Sequence, residues 1–433
     1  MTQQRRSAKY EEAAATNGAQ TAARRQQGGL TGRSRTLLIT GVYLLMLCFA
    51  VSVTMLGPLM PELIAQYGLR LSEGGLMVSA RSIGGVLAIV LGGLLADRWN
   101  KGMFVAASFL IYVISLFFIA TAPLYTVLLV MFFFLGASTH MVDVVNNALA
   151  ADLYPERRGA ILNILHTIFG VGALLGPLLT RLVMGQGVSW AAAFGALGVV
   201  CALVLVVFSV ILWRHPLPPA ADTSVDLPSP KALLTDVRMF LLCGIMIMYV
   251  GHQIGIVTWL PMYMQDSLGA SPDLASLALS ALWMGIILGR FGCSRLPATV
   301  DPLPIIAYGG LAGGIVLTLG FVLQMPLLLT FSVALAGLFT GATIPLLVNA
   351  ACEWFPRNTG TASSMIFLSG SLSAMLIPWL MGLVAELFGF WLAMMFSGVS
   401  LIFVFALSIA VMRLTRASNE SLLVADGEME SRL

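Results

Sequence analysis

The feature that most constrains this chain is a repeat of its own sequence, 201 residues apart. The repeated positions are an acid, an aromatic residue, two prolines and two glycines: Gly136, Asp152, Tyr154, Pro155, Gly159 and Pro177, then Gly337, Glu353, Phe355, Pro356, Gly360 and Pro378. Six positions with the same offset indicate two similar halves in tandem, so the fold should contain the same set of helices twice.

The composition is that of a membrane protein. Hydrophobic residues make up 58% of the 433 residues and charged residues only 10%, and the mean hydropathy is +0.93. Apolar stretches long enough to cross a bilayer of about 30 Å recur along the chain. We predict twelve spans, at roughly 37–58, 74–96, 103–122, 124–151, 160–183, 190–213, 239–264, 273–293, 303–323, 326–350, 361–384 and 389–412. The expected fold class is therefore an all-α integral membrane protein with twelve transmembrane helices in two six-helix bundles.

The distribution of Lys and Arg predicts the orientation. If the N-terminus is cytoplasmic and the spans alternate, 20 of the 23 Lys and Arg fall in cytoplasmic segments, and only Arg70, Arg81 and Arg181 fall elsewhere. The positive-inside rule then favours both termini in the cytoplasm of a multi-pass plasma-membrane protein. The net charge of +3 gives no reason to propose a nucleic-acid partner.

The halves suggest the domain boundaries. We expect a disordered cytoplasmic tail over 1–36, a first bundle over 37–213, a proline-rich linker over 214–238, a second bundle over 239–413 and a cytoplasmic tail over 414–433. Pro58 and Pro61 in span 1, and Pro261 in span 7, are expected to interrupt matching helices near a gate or a binding site. The alternative is a proline at an ordinary helix end.

The loop after span 2 points to a family. Residues 92–102 read GGLLADRWNKG, which resembles the signature loop of the major facilitator superfamily. Three further stretches resemble its fucose–galactose–glucose:proton symporter branch: Asp143-x-x-Asn146-Asn147, residues 163–177 and residues 249–261. The resemblance implies a transporter of small polar solutes that works by alternating access. His252 stands near a place where that branch usually has an acid.

One acid lies well inside a span. Asp143 is about two turns from the cytoplasmic end of span 4. An ionised Asp near the bilayer centre costs about 2.5–3.5 kcal/mol, so acids inside a span usually face a cavity and have a function. His140 and Asn147 share its helix face, and Asn163 and His166 share a face of span 5. We expect these faces to meet around a polar cavity and Asp143, His140 and His252 to carry protons. Alternatively, Asp143 pairs with Arg81, and His140 and His166 are satisfied interhelical histidines.

Sugar hydroxyls and ring faces require donors, acceptors and flat apolar surfaces. The residues expected to bind such a solute are Asn146, Asn147, Asn163, His166, Tyr249, Gln253, Trp259, Trp283, Asn349 and Trp379. Charged residues at the cytoplasmic helix ends are expected to gate one face: Asp97, Arg98, Lys101, Arg157, Arg158 and Arg290.

The first hypothesis is a monomeric, proton-coupled transporter of a monosaccharide. The second is a drug or metabolite efflux antiporter of the same fold, and the third is a solute sensor that does not transport. A large apolar pocket would favour export, and a narrow one lined with Asn, His and Trp would favour a sugar. The chain lacks a His-Glu-x-x-His motif, a Gly-x-Ser-x-Gly elbow and a Walker A loop, which argues against an enzyme or an ATP-driven pump. We expect no cofactor and no metal site, since the five cysteines have no metal spacing.

Overall fold

The computed structural model describes residues 32–96, 100–217, 235–297, 300–355 and 358–430. Within these ranges the chain forms thirteen α-helices: α1 Gly32–Tyr67, α2 Leu71–Ala96, α3 Lys101–Ala120, α4 Tyr125–Leu153, α5 Arg158–Met184, α6 Trp190–Arg214, α7 Val237–Asp266, α8 Pro272–Cys293, α9 Pro302–Leu323, α10 Pro326–Thr340, α11 Thr343–Trp354, α12 Thr359–Phe388 and α13 Phe390–Glu430. A 3-10 turn, Pro155–Arg157, joins α4 to α5.

The helices account for the twelve predicted spans. Eleven segments of the described ranges are long and apolar enough to cross a membrane, with α10 and α11 together forming one of them. The twelfth span is α2, which has 26 residues. The sequence did not predict the break in span 10, which falls at Gly341 and Ala342.

Polar residues begin several of the helices. Asn100, Ser189 and Ser271 each accept a hydrogen bond from a backbone N–H in the first turn of α3, α6 and α8. Asp236 and Asp301 do the same for α7 and α9. These caps satisfy N–H groups that have no partner within the helix, so apolar spans can begin sharply after short connections.

The expectation that proline interrupts α1 and α7 is wrong. α1 runs through Pro58 and Pro61, and α7 runs through Pro261. A proline removes one helical hydrogen bond, which a membrane helix tolerates when neighbouring groups compensate. Here the helices are held by close packing, since Gly57 of α1 lies against the carbonyl oxygen of Val257 in α7.

Two six-span bundles make up the fold. Because the number of spans is even, α1 begins and α13 ends at the same end of the molecule, which we call the tail face; the opposite end is the far face. In the first bundle α1 packs on α5, α2 on α4 and α3 on α6; in the second α7 packs on α12, α8 on α10 and α9 on α13. The bundles meet where α2 packs on α12 and α5 on α8, so the same pairing occurs twice about an approximate two-fold axis.

The sequence repeat has a direct counterpart in the packing. In each bundle two glycines let two helix backbones touch, a close approach that only small residues allow. The space of a Cβ is filled by a backbone carbonyl oxygen in all four cases: Gly84 by Phe133 and Gly136 by Arg81 in the first half, Gly285 by Ala334 and Gly337 by Leu282 in the second. All four pairs of equivalent residues differ by 201 in number.

Parts of the predicted domain plan lie outside the described residues, namely 1–31 of the N-terminal tail, 218–234 of the linker and 431–433 of the C-terminal tail. Two helix ends differ from the predicted bundle boundaries by more than one helical turn. α1 begins at Gly32, before 37, and the backbone of α13 continues to Glu430, past 414.

Candidate functional site

A cavity lies between the two bundles. Its volume is about 270 Å³, and its walls come from α1, α2, α4, α5, α7, α11 and α12. Five of the lining residues are polar: Arg81, Ser82, His140, Thr258 and Ser371. The rest of the lining is apolar or glycine, including Phe49, Val53, Phe169, Met246, Ile254 and Phe367. The cavity is therefore an apolar space with one cationic wall.

The glycine contacts between α2 and α4 build the cationic wall. Gly136 lies against the carbonyl oxygen of Arg81, and Gly85 lies against the ring of His140. Because no side chain separates the two backbones at these points, Arg81 and His140 come from neighbouring helices to the same part of the cavity. The His140 Nδ1 atom is 3.1 Å from the carbonyl oxygen of Gly136. A carbonyl only accepts, so Nδ1 carries a hydrogen and Nε2 is the remaining ring nitrogen.

Arg81 is buried, with 8% of its surface exposed. Its Nη1 atom is 3.5 Å from the carbonyl oxygen of Ser52 in α1. Among the residues that the structure describes, no carboxylate lies within 4.0 Å of its guanidinium. The possible pair with Asp143 is therefore not formed in this structure.

Asp143 lies one turn from His140 on α4 and does not line the cavity. It is half-buried. Asn147 donates from Nδ2 to the Asp143 backbone carbonyl at 2.8 Å and to Oδ1 at 3.0 Å. Asn146 is fully buried, and its amide has no hydrogen-bond partner in the described part of the chain.

The predicted polar face of α5 does not reach the cavity. Gly170 packs against Ile287 of α8, and on the tail side of this contact Asn163, His166 and Thr167 are exposed. α5 instead contributes Phe169 to the cavity wall. The polar faces of α4 and α5 therefore do not meet in the cavity as predicted. Of the described residues predicted on these two faces, His140 alone lines the cavity.

The residues predicted on α7 and α8 are buried in packing around the cavity. The His252 Nδ1 atom is 3.1 Å from the carbonyl oxygen of Ser397 in α13. The rings of Tyr249 and His252 are 6.3 Å apart, and Gln253 is buried beside them. The Trp283 ring packs against Phe169, with 5.7 Å between centroids.

The predicted residues on the last spans lie apart from the cavity as well. Asn349 on α11 is exposed and donates to Glu353 at 2.8 Å. Trp379 on α12 is half-buried, and its backbone lies close to Gly75 of α2. Neither residue lines the cavity.

Trp259 helps to close the cavity toward the far face. Its Nε1–H donates to the carbonyl oxygen of Pro378 at 3.0 Å, and its ring packs against Phe390 at 5.9 Å. The same ring touches the backbone of α2 at Gly74. This side chain therefore joins both bundles beyond the cavity.

Two polar contacts connect the bundles at the far face, and we call them the two latches. In one, Arg181 of α5 donates from Nε to Asp273 of α8 at 2.5 Å. In the other, the backbone N–H of Ser72 in α2 donates to Glu386 of α12 at 2.6 Å. Ser72 and Asp273 are 201 residues apart, so each latch uses the same position of its bundle, and the two latches join equivalent helix pairs on opposite sides of the axis.

The residues predicted as gates lie at the tail face or outside the described part. Asp97 and Arg98 lie outside the described residues. Lys101 pairs with Asp152 at 2.5 Å, within the first bundle. Arg157, the last residue of the 3-10 turn, and Arg158, the first residue of α5, are exposed. Arg290 donates from Nε to the carbonyl oxygen of Gly341 at 3.0 Å, where span 10 breaks.

Sequence reasoning missed Arg81 as a site residue and missed both latches. A signal for Arg81 was present, because it is one of three cations that the positive-inside pattern leaves unexplained, and it lies within a span. No pattern in the sequence indicates that Arg181 and Asp273 meet, since they belong to different bundles and their contact depends on how the bundles dock.

Known proteins resemble this chain over different lengths. The sodium-dependent glucose transporter 1A of Mus musculus is 29% identical over 144 residues, which are 33% of this chain and 34% of the mouse protein. The uncharacterized MFS-type transporter YfkL of Bacillus subtilis (strain 168) is 25% identical over 353 residues, 77% of this chain and 83% of YfkL.

The fold matches that of a bacterial homolog of the human lysosomal transporter Spinster in an inward-facing, occupied conformation. The TM-score is 0.74 at 16% sequence identity, covering 89% of this chain and 98% of the other. The family model of the Major Facilitator Superfamily matches this chain twice, over residues 42–323 and over residues 264–427. With its two equivalent six-span bundles and a cavity between them, this chain belongs to the Major Facilitator Superfamily.

Proposed function

We propose that this protein is a secondary transporter that carries a small organic solute across the membrane by alternating access, with the cavity between the bundles as its binding site. The observation that carries the proposal is the unequal contact between the bundles at the two faces. Among the described residues, the polar contacts that join the bundles lie at the far face or at the level of the cavity: the two latches, Ser82 with Ala374, and Ser280 with Leu174. Binding at an interface that opens to one side and then the other is how such two-fold transporters work.

The cavity lining favours a solute with an apolar body. Most of the wall is aliphatic or aromatic, and the polar groups are confined to five side chains. A monosaccharide presents hydroxyl groups in all directions, each of which needs a partner when it leaves water. An amphipathic metabolite fits this lining better, which corresponds to the second of the sequence-based hypotheses.

A monosaccharide is the second candidate. One support is the sequence similarity to the sodium-dependent glucose transporter 1A of Mus musculus, which covers a third of this chain. Another is the pair of aromatic rings of Phe49 and Phe169, whose centroids are 5.5 Å apart at the cavity wall. An aromatic surface of this kind suits the apolar face of a sugar ring.

Uptake into proteoliposomes tests transport and separates the two candidates. The solutes are labelled glucose, labelled glucuronate and a labelled aromatic acid such as benzoate, and the variants are wild type, Ala374→Phe and Leu203→Phe. Ala374 lines the cavity, whereas Leu203 is exposed on α6. We expect saturable uptake that Ala374→Phe abolishes and Leu203→Phe preserves. Equal uptake by all three proteins would refute the cavity as the transport site.

Proton coupling is the finer part of the proposal and involves Asp143 and His140. Both lie inside the span formed by α4, and His140 lines the cavity. We expect an inward proton gradient to raise wild-type uptake and Asp143→Asn to remove that response. Glu62→Gln changes an exposed acid of α1 and is the control. Uptake that ignores the gradient in every variant would make the protein a facilitator.

The orientation and the working unit are also proposals. The distribution of Lys and Arg supports a tail face in the cytoplasm and a place in the plasma membrane. One chain supplies every wall of the cavity, which supports function as a monomer. Reporter fusions after residue 416 and in the far-face loop at 186 test the orientation, since each reporter should be active on one side only.

A further inference from the structure

Arg81 is a cation that the fold itself does not require. Its equivalent in the second bundle is Leu282, 201 residues later. Gly136 contacts the Arg81 carbonyl as Gly337 contacts the Leu282 carbonyl. The same helix pair therefore packs equally closely around an apolar side chain.

The surroundings of Arg81 leave most of its hydrogen-bonding capacity unused. A guanidinium has five N–H donors. Among the described residues, the Arg81 guanidinium makes one long hydrogen bond, from Nη1 to the Ser52 carbonyl oxygen at 3.5 Å. The side chain is more than nine-tenths buried, and within the described ranges no acid lies within 4.0 Å of it. A buried charge without a counter-ion is costly, so a group that lines a cavity in this state is suited to an anion from outside the protein.

We propose that Arg81 binds the carboxylate of the transported solute, so that the substrates are organic monoanions with a compact apolar body. This inference rests on the proposed function, because it assigns a substrate class to the same cavity. A planar guanidinium matches a carboxylate through two parallel hydrogen bonds. Ser82 and Ser371 also line the cavity, but their hydroxyls donate to the carbonyl oxygens of Ala374 and Phe367, so Arg81 supplies the contact to the anion.

The rest of the lining sets the limits of this class. Among the described residues, Arg81 is the one Arg or Lys that lines the cavity, so a single negative charge is balanced and a dianion is not. Phe49, Phe169 and Phe367 surround the remaining space and suit an aliphatic or aromatic body. A carboxylate on such a body satisfies both parts of the cavity.

Matched pairs of probes test the proposal on purified full-length protein in nanodiscs. The pairs are benzoate with benzamide, hexanoate with hexanamide, and glucuronate with glucose; phenyl phosphate is a further probe. Binding is measured as the ligand-dependent shift in thermal midpoint. In the wild type we expect carboxylates to bind about tenfold or more tightly than their neutral partners, as for a charged hydrogen bond made in a buried site.

Three variants make the test specific. Arg81→Leu introduces the residue that the second bundle has at the equivalent place, and it should remove the preference for carboxylates. Arg81→Lys keeps the charge without the planar fork and should retain a weaker preference. Arg214→Gln changes an exposed arginine at the end of α6 and should behave as wild type. The unliganded thermal midpoint of each variant shows whether it is folded.

The outcomes separate this inference from the proposed function. Neutral probes that bind and are transported as well as the acids would overturn the carboxylate assignment and leave the transporter standing. A carboxylate preference that persists in Arg81→Leu would also overturn it, as would tighter binding of phenyl phosphate than of benzoate. If no probe binds or enters proteoliposomes, both proposals fail.

Discussion

Gly136 of α4 lies directly against the backbone carbonyl of Arg81 in α2, in the space that a Cβ would need. The contact brings the backbone of the buried arginine next to α4, one turn before His140. Because the second bundle repeats it between Gly337 and Leu282, the contact belongs to the fold that both halves share. The two halves differ in the side chain at this position, which is arginine at 81 and leucine at 282.

Adding one methyl group at this contact should damage the first bundle. Gly136→Ala forces a Cβ into the Arg81 carbonyl, and overpacking of this kind costs about 1–3 kcal/mol or more. We expect a lower thermal midpoint and reduced transport, and a similar loss of stability for Gly337→Ala. Gly292→Ala is the control, because nothing lies within 4 Å of the added carbon and alanine favours a helix by about 0.5–1 kcal/mol. A stable, active Gly136→Ala protein would contradict the close contact.

Weakening one latch should raise the fraction of molecules whose far face is open. Asp273→Asn removes the charge that Arg181 contacts, and an exposed ion pair contributes about 0.2–1 kcal/mol, which corresponds to a population change of up to about fivefold. Spin labels at exposed positions 186 and 277 report the separation of α5 and α8 in a variant without native cysteines. We expect longer distances to become more populated.

The control for this measurement is Asp266→Asn, which removes an exposed acid from the same face. Its distance distribution should match that of the labelled protein that keeps both Asp266 and Asp273. If both substitutions change the distances equally, the effect is one of general surface charge and the latch has no specific role.

His252 should matter for stability and not for the pH dependence of transport. It is 1% exposed, and its ring is fixed against the Ser397 carbonyl at 3.1 Å. His252→Gln is expected to lower the thermal midpoint, since a buried hydrogen bond and its packing are lost at a cost of about 1–3 kcal/mol. The pH profile of uptake should remain that of the wild type.

Tyr249→Phe provides a comparison on the same helix. The Tyr249 hydroxyl is buried without a hydrogen-bond partner among the described residues, so its removal should cost little. A changed pH profile in His252→Gln, with a normal thermal midpoint, would instead identify His252 as a proton carrier.

The start of α7 should respond to acid. Hydrogen bonds from Arg238 hold the pKa of Asp236 below its ordinary value of 3.8, and Arg238 lies 5.7 Å from the ring of Phe355. A lowered pKa means that the ionised form is stabilised by folding. Its contribution is therefore present above the unfolded-state pKa and is lost as the pH falls through the folded value.

Asp236→Asn tests this dependence, because asparagine keeps the helix cap and removes the charge. The thermal midpoint of the wild type should exceed that of the variant near neutral pH, and the difference should shrink below about pH 4. Arg238→Gln should flatten the wild-type dependence in the same window. A difference that stays constant with pH would show that the carboxylate charge adds nothing.

The sequence predicted the architecture well because the architecture depends on patterns within single segments. Long apolar runs identified the spans, and the 201-residue repeat identified the two halves. The same repeat contains Gly136 and Gly337, which the structure places at equivalent contacts. These features are local or periodic, so they can be read without knowing how helices face one another.

The site was harder to predict because it depends on the rotation of each helix against its neighbours. Asp143 and His140 share a helix face, yet only His140 lines the cavity. His252 finds its partner 145 residues away at Ser397, a contact that no local pattern encodes. Arg81 was considered only as a partner for Asp143, and its place in the cavity wall follows from the docking of α2 on α4.

The two latches have a consequence that follows from their symmetry. They stand on opposite sides of the axis, one joining α5 to α8 and the other α2 to α12. If only one is released, the other still holds the bundles together, and one bundle would have to twist about it. Full separation of the far ends therefore requires both to break, so their free energies add: loss of one latch lowers the cost of opening, and the remaining latch still has to be broken.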